Sequence, residues 1–135
     1  MPFVIDASTV LAWTFLDEAS ERARAIVERL EDDTAEAPAV WPVEVANALL
    51  VAERRGRLSH SEMVSAGAAV SELAVKVEGA HFPDVLQSTL AVARRHALSA
   101  YDASYLELAS RRNLPLATLD RRLETAARAA GIALL

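Results

Sequence analysis

The sequence predicts an α/β fold built around a mostly parallel sheet, in which short apolar strands alternate with helices of ten or more residues. Three observations carry that expectation. Phe3-Val4-Ile5 and Leu116 to Leu119 are brief apolar runs of strand length, and each closes on an aspartate, Asp6 and Asp120. Between them, apolar residues return mainly at the helical spacing of three and four. No internal repeat, linker or low-complexity tract interrupts the 135 residues, 53% of them apolar, which suits one domain spanning 1–135.

Taken in order, Phe3-Val4-Ile5 is a buried-strand candidate, followed by helical patterns from about Ser8 to Phe15 and from about Ala19 to Leu30. The acidic turn Glu31-Asp32-Asp33 closes that unit, and a second strand fits Ala37 to Val40. Pro42 has no N–H to lose in a first helical turn, so it starts a helix that runs to about Arg55 and is ended by Gly56. Ser61 to Leu73 reads as helix, Val75 to Glu78 as an alternating strand, and Pro83 to Arg95 as helix. Tyr101 to Arg112 is amphipathic and helical. Pro115 opens a strand through Leu119, Arg121 to Ala130 returns to helix, and Gly131 precedes a last apolar run, Ile132 to Leu135.

Composition removes several chemistries. The chain has no cysteine, and its three histidines, His60, His81 and His96, have no ligand spacing, so any metal must be held by oxygen. No apolar run approaches the roughly 18 to 20 residues of a membrane span. Met1-Pro2-Phe3 leads directly into an apolar segment and not into a basic leader, so the expectation is a soluble, unprocessed, cytoplasmic protein. The net charge of -5 hides an asymmetry: residues 1 to 53 are strongly acidic, and the excess of bases lies after them. Nearly all of those bases are arginine, with Lys76 the one lysine. A guanidinium fork suits phosphate, although a solvated charged face accounts for the same pattern.

In a parallel sheet every strand ends at one edge, where ligands bind. Asp6 and Asp120 follow their strands directly, and Glu44 and Asp102 occupy the first turns of helices that start at that edge. The helix from Asp102 to Arg112 descends about 16 Å and the strand after it climbs back about 16 to 20 Å, which returns Asp120 to the level of Asp102. Four clustered acids would oppose one another's ionisation, and a hard cation removes that cost. Oxygen-only ligands suit Mg²⁺ or Mn²⁺, and such ions organise phosphoryl transfer, so the reaction class is phosphodiester hydrolysis. Ser8 beside Asp6, Asn47 one turn after Glu44, and Thr118 on the strand face of Asp120 are short polar side chains fitted to a supporting role. Each residue also has a plainer reading. Asp6, Asp102 and Asp120 fit helix caps or first turns, Glu44 fits the helix dipole, and Ser8, Asn47 and Thr118 fit caps, solvated surface or strand packing. Trp13, Phe15, Trp41 and Phe82 read as core or interface aromatics.

Across nearly the whole chain, FVIDASTVLAW, PVEVANALL, LSAYDASYLELASRRN and LPLATLD resemble, in that order, the PIN-domain ribonucleases, and most closely the VapC-like toxins of toxin-antitoxin pairs. The paired Y-D-A and A-T-L-D elements are the most specific of these. The resemblance implies a single PIN-like domain, a parallel sheet with helices on both faces, and a metal-dependent endoribonuclease site. Its catalytic acids would be Asp6, Glu44, Asp102 and Asp120, with Asp6, Asp102 and Asp120 as the main ligands of Mg²⁺ or Mn²⁺ and Ser8, Asn47 and Thr118 in support. It further implies a homodimer, an RNA substrate and a small cognate antitoxin whose C-terminal segment covers the acids. Arg111, Arg112, Arg121, Arg122 and Arg128 are the candidates for phosphate contact.

Two rivals are weaker. A receiver-type signalling domain needs a lysine at the end of a late strand and a second acid beside the first, and neither is found around Lys76 or Asp6. A noncatalytic α/β protein-binding module would use the acids only as helix caps, would gain little stability from Mn²⁺ or Mg²⁺, and would not cut RNA.

Overall fold

The fold is described from a computed structural model that covers residues 1–15 and 20–135. Four strands, β1 (Phe3–Ile5), β2 (Ala35–Ala37), β3 (Val75–Val77) and β4 (Leu116–Ala117), form one parallel sheet in the order β3-β2-β1-β4. Phe3 stands opposite Ala35, Val4 opposite both Glu36 and Leu116, and Ala37 opposite Val77. The central strand is covered on both faces, and all three of its side chains are fully buried. That explains why β1 reads as an unbroken apolar run and not as an alternation. Each such side chain contributes roughly 1.5 to 3 kcal/mol by leaving water.

The helices are α1 (Ala7–Phe15), α2 (Ser20–Glu28), α3 (Trp41–Arg54), α4 (His60–Ser71), α5 (Phe82–Asp84), α6 (Leu90–His96), α7 (Ala100–Arg112) and α8 (Arg121–Ala129). The chain steps from β1 through β2 to β3 in one direction and then returns to place β4 on the far side of β1. Right-handed crossovers therefore put α1 to α4 on one face and α5 to α7 on the other. The packing agrees: α1 lies against α2 and α3, and α3 against α4, whereas α6 packs on α7, which rests on β1 and β4. The reversal of strand order at β1 opens the crevice at the carboxyl edge, where Asp6 emerges.

Several boundaries differ from those the sequence predicts. The second strand is Ala35–Ala37 and not 37 to 40, because Pro38 cannot donate to a ladder and its carbonyl instead accepts from Trp41 N at 3.0 Å. The last strand stops at Ala117 rather than Leu119, because the next amides turn to side chains: Leu119 N donates to Ser8 Oγ and Asp120 N to Thr118 Oγ1, each at 3.0 Å. The helix expected over 83 to 95 is interrupted by a π-helical segment, Val85–Thr89, between α5 and α6. α4 begins at His60 on a reciprocal cap in which Ser59 Oγ accepts from Glu62 N and Glu62 accepts from Ser59 N. The second predicted helix starts at Ala19, which lies outside the described residues; the rest of it is α2 and the short turn Arg29–Glu31. The closing apolar run makes a parallel bridge from Leu134 to Leu116, so β4 is covered on its outer side. Of the aromatics, Trp41 is buried and Trp13 and Phe15 pack against the core, but Phe82 is exposed.

Candidate active site

Asp6 leaves the end of β1 into the base of the crevice and is buried. Its Oδ1 accepts from Ser8 Oγ at 2.6 Å, from Thr9 N at 3.3 Å and from Thr9 Oγ1 at 3.4 Å, and its Oδ2 accepts from the Thr118 hydroxyl. The bond to Thr9 N is the capping bond expected before α1. Burial still dominates: it pushes the Asp6 carboxyl up to about 6, the hydroxyl and amide donors work against that rise, and the charge of Asp120 adds to it.

Thr118 ties two strands' acids together. It donates to Asp6 and accepts from the backbone N–H of Asp120, while its hydroxyl lies 3.5 Å from Ser8 Oγ. Ser8 spans the same gap by accepting from Leu119 N at 3.0 Å. Asp120 itself caps α8, its Oδ1 accepting from Leu123 N at 3.0 Å. The capping role predicted as the plainer reading is therefore real, and it coexists with an electrostatic effect on Asp6 and on Asp102.

Asp102 is not a cap. Ser99 caps α7 by accepting from Asp102 N at 3.1 Å, and this leaves the half-buried Asp102 carboxylate in the first turn at the edge. Desolvation first, then the charge of Asp120, raises its pKa; the Ser99 hydrogen bond and the nearby Arg122 guanidinium oppose the rise. Glu44 stands in the first turn of α3, where Oε1 accepts from the Tyr105 hydroxyl at 2.6 Å. Its pKa is raised by desolvation, lowered by Tyr105 and raised again by Asp102. Burial above all, and then the hydrogen bond to Glu44 and the charges of Glu44 and Asp6, push the hydroxyl pKa of the almost wholly buried Tyr105 upward.

All four predicted acids thus lie at one edge, linked by charge: Asp120 acts on Asp6 and on Asp102, and Asp102 acts on Glu44. Ser8 and Thr118 join them directly. Asn47 does not: it is exposed and makes no side-chain hydrogen bond among the described residues. Arg121 and Arg122 are exposed at the start of α8, on the same edge. Arg111 is held by Glu78 at 3.0 Å and by Glu107 at 2.8 Å, Arg112 reaches Glu78 at 3.3 Å and Glu36 at 3.7 Å, and Arg128 pairs with Glu124 at 3.8 Å. Sequence reasoning missed Thr9, Ser99 and Tyr105. Ser99 was legible as a serine three residues before an acid at a helix start, and Tyr105 as a tyrosine on the buried face, whose hydroxyl needs a partner.

The donor set suits a hard cation: it is all oxygen, acidic, and backed by hydroxyls. Among the described residues, however, no three acidic or imidazole groups are gathered closely enough to enclose an ion as they stand. The fit therefore lies in the chemistry of the donors and in their shared edge.

A parallel sheet with reversed strand order and four acids at its carboxyl edge defines the class. The PIN-domain profile matches residues 3–129, and the chain belongs to the PIN-domain family. Over 124 residues it is 35% identical to Ribonuclease VapC3 of Pyrobaculum aerophilum, covering 91% of this chain and 92% of that one. Ribonuclease VapC3 of Mycobacterium tuberculosis is also 35% identical, over 125 residues that cover 91% of this chain and 85% of the relative. Among solved structures, the fold matches M. tuberculosis VapC20, a sarcin-ricin loop cleaving toxin, with a TM-score of 0.68 at 19% identity, covering 100% of this chain and 98% of that one. It also matches VapBC2 from Rickettsia felis bound to a promoter DNA fragment, with a TM-score of 0.65 at 11% identity, covering 100% and 98%.

Proposed function

We propose that the chain is a VapC-type toxin, a metal-dependent endoribonuclease that hydrolyses RNA phosphodiester bonds and is restrained by a cognate antitoxin. The observation that carries this is the meeting of Asp6, Glu44, Asp102 and Asp120, from four separate segments, at one sheet edge. Identity of 35% over 91% of the chain to relatives named ribonucleases supports it.

Asp6, Asp102 and Asp120 would hold Mg²⁺ or Mn²⁺, and Glu44 would complete the pocket. Such an ion, when bound, supplies positive charge to the phosphate and makes a neighbouring water more acidic. The chain's own contribution is positional. Ser8, Thr9 and Thr118 fix both oxygens of Asp6, and Tyr105 fixes Oε1 of Glu44 while leaving Oε2 open to a proton or a water. Arg121 and Arg122 stand where an RNA phosphate approaches the acids. A homodimer and a cytoplasmic location belong to the same reading; among the described residues no helix is long and apolar enough to cross a membrane.

The test is cleavage of total RNA by the purified protein, freed of any copurifying partner, in Mn²⁺ and in EDTA, beside Asp6→Ala and Asp102→Asn. New RNA ends that form only in Mn²⁺, and only with the unaltered protein, support the reading. Cleavage that persists in EDTA, or at equal rate in both variants, overturns the metal-carboxylate mechanism.

A further inference from the structure

A cavity of about 500 Å³, within the roughly 300 to 1,000 Å³ usual for small-molecule sites, is lined by none of the four acids. Its walls are the segments after β2 and β3, the π-helical segment and one face of α7. Thr89 is the odd residue of that wall. It is only 6% exposed, yet its hydroxyl has no hydrogen-bond partner among the described residues. Of the buried side-chain polar atoms sealed from solvent, Trp41 Nε1 alone lacks a partner among those residues. The Thr89 oxygen is therefore open, and the space it opens onto is the cavity.

The π-helical turn accounts for the free hydroxyl. Thr14, Ser71 and Thr125, each within an α-helix, donate to the carbonyl four residues back at 2.9, 2.8 and 2.9 Å. The carbonyl four residues before Thr89 belongs to Val85, and it accepts from Leu90 N, the bond that makes the wider turn. A buried hydroxyl left unmatched costs stability, and π-helical turns recur at functional sites.

The rest of the lining selects the ligand. Ser88 and Tyr101 also line the cavity and make no side-chain hydrogen bond among the described residues, while Ser104 donates to the Tyr101 carbonyl and keeps its oxygen free to accept. Such a wall donates and accepts alike, and it matches a ligand whose own groups do the same. Charge turns phosphate away: the ionised lining is three carboxylates, Glu78, Asp84 and Glu107, against Arg111, which both glutamates already hold. Tyr101, 64% exposed, adds an open apolar face beside the hydroxyls.

We infer that this cavity binds a small uncharged polyol, a sugar ring with its hydroxyls on Thr89, Ser88 and Ser104 and its C–H face on Tyr101. The ring comes either as a free sugar or as the ribose of a nucleoside, and a phosphate on it weakens binding. The inference is independent of the nuclease reading, since none of the four acids takes part.

The test is titration with D-ribose, uridine and uridine monophosphate, followed by saturation-transfer NMR, in EDTA and without glycerol. Uridine should bind saturably, ribose with the same or lower affinity, and the monophosphate at least about 10-fold more weakly than uridine. Thr89→Val, which keeps the shape, should weaken uridine about 3- to 10-fold, the worth of one neutral hydrogen bond, and Thr89→Ser, which keeps the hydroxyl, should not. Tyr101→Leu should weaken it as well. Tighter binding of uridine than of ribose identifies a nucleoside whose base also uses Tyr101, and equal binding identifies a free sugar. The inference is overturned if neither probe binds saturably, if Thr89→Val leaves uridine affinity unchanged, or if the monophosphate binds as tightly as uridine. Equal loss in Thr89→Ser and Thr89→Val also overturns it, because the effect would then lie in packing and not in the hydroxyl. Melting curves of each variant confirm folding.

Discussion

The two halves of the acidic edge are built differently. On the β1–β4 side, Asp6 is buried, both of its oxygens are engaged, and Ser8 and Thr118 stitch the two strand ends together. On the β2–β3 side, Glu44 and Asp102 are half-buried, Glu44 is held by the single hydroxyl of Tyr105, and Tyr101, next in sequence to Asp102, lines an open cavity of about 500 Å³. One half is preorganised, and the other leaves room to adapt. A site that must present one phosphate accurately while admitting differing RNA needs both properties, and the sheet supplies the first through strand ends while helix starts and loops supply the second.

Breaking the rigid half should have the largest effect. Asp6→Asn should lower RNA cleavage by at least about 100-fold while the protein stays folded, because it removes a carboxylate that would hold the cation; single-turnover cleavage checks this. The same variant sharpens the energetic side. Because the folded pKa of Asp6 is raised from 3.8 to about 6, its neutral form favours the fold fully below about pH 4, and that contribution is lost as pH rises through about 6. In metal-free buffer the variant should therefore gain on the order of 2 kcal/mol relative to the unaltered protein between pH 4 and 8, read from denaturant melts at each pH. Comparing the two proteins is necessary because Glu78, whose pKa is lowered by Arg111, gives stability with the opposite slope, lost as pH falls.

Thr118→Val keeps the shape but removes the link between Asp6 and Asp120, so it should cost about 1 to 3 kcal/mol of stability and roughly 10- to 100-fold in Mn²⁺ affinity. Tyr105→Phe breaks the adaptable half at its single tether. It should cost about 1 kcal/mol and raise the Glu44 pKa further, visible as a shifted pH–rate profile. Smallest of all should be Arg111→Gln, at no more than about 1 kcal/mol by thermal melting, since its ion pairs are on the exposed surface.

The rigid half was the more legible in sequence, because strand ends announce themselves: an apolar run closing on an aspartate fixes both the element and the direction of the acid. Helix-borne positions were readable only through spacing. Asp102 was placed correctly in its first turn, but its cap, Ser99, and the tether Tyr105 depend on which face of α7 is buried. Asn47 shares a helix with Glu44 one turn away, yet it faces solvent. The π-helical interruption at Val85–Thr89 has no local signature in VLQST, and the cavity it lines arises only where four segments meet, those after β2 and β3, the π-helical segment and α7.

The central claim is that these four acids form one cation-dependent centre. Free Mn²⁺ followed by electron paramagnetic resonance during titration tests it most directly. The unaltered protein should take up at least one Mn²⁺ per chain at neutral pH, and Asp6→Asn and Asp120→Asn should each abolish that uptake. No uptake by the unaltered protein, or equal uptake by both variants, would contradict the account.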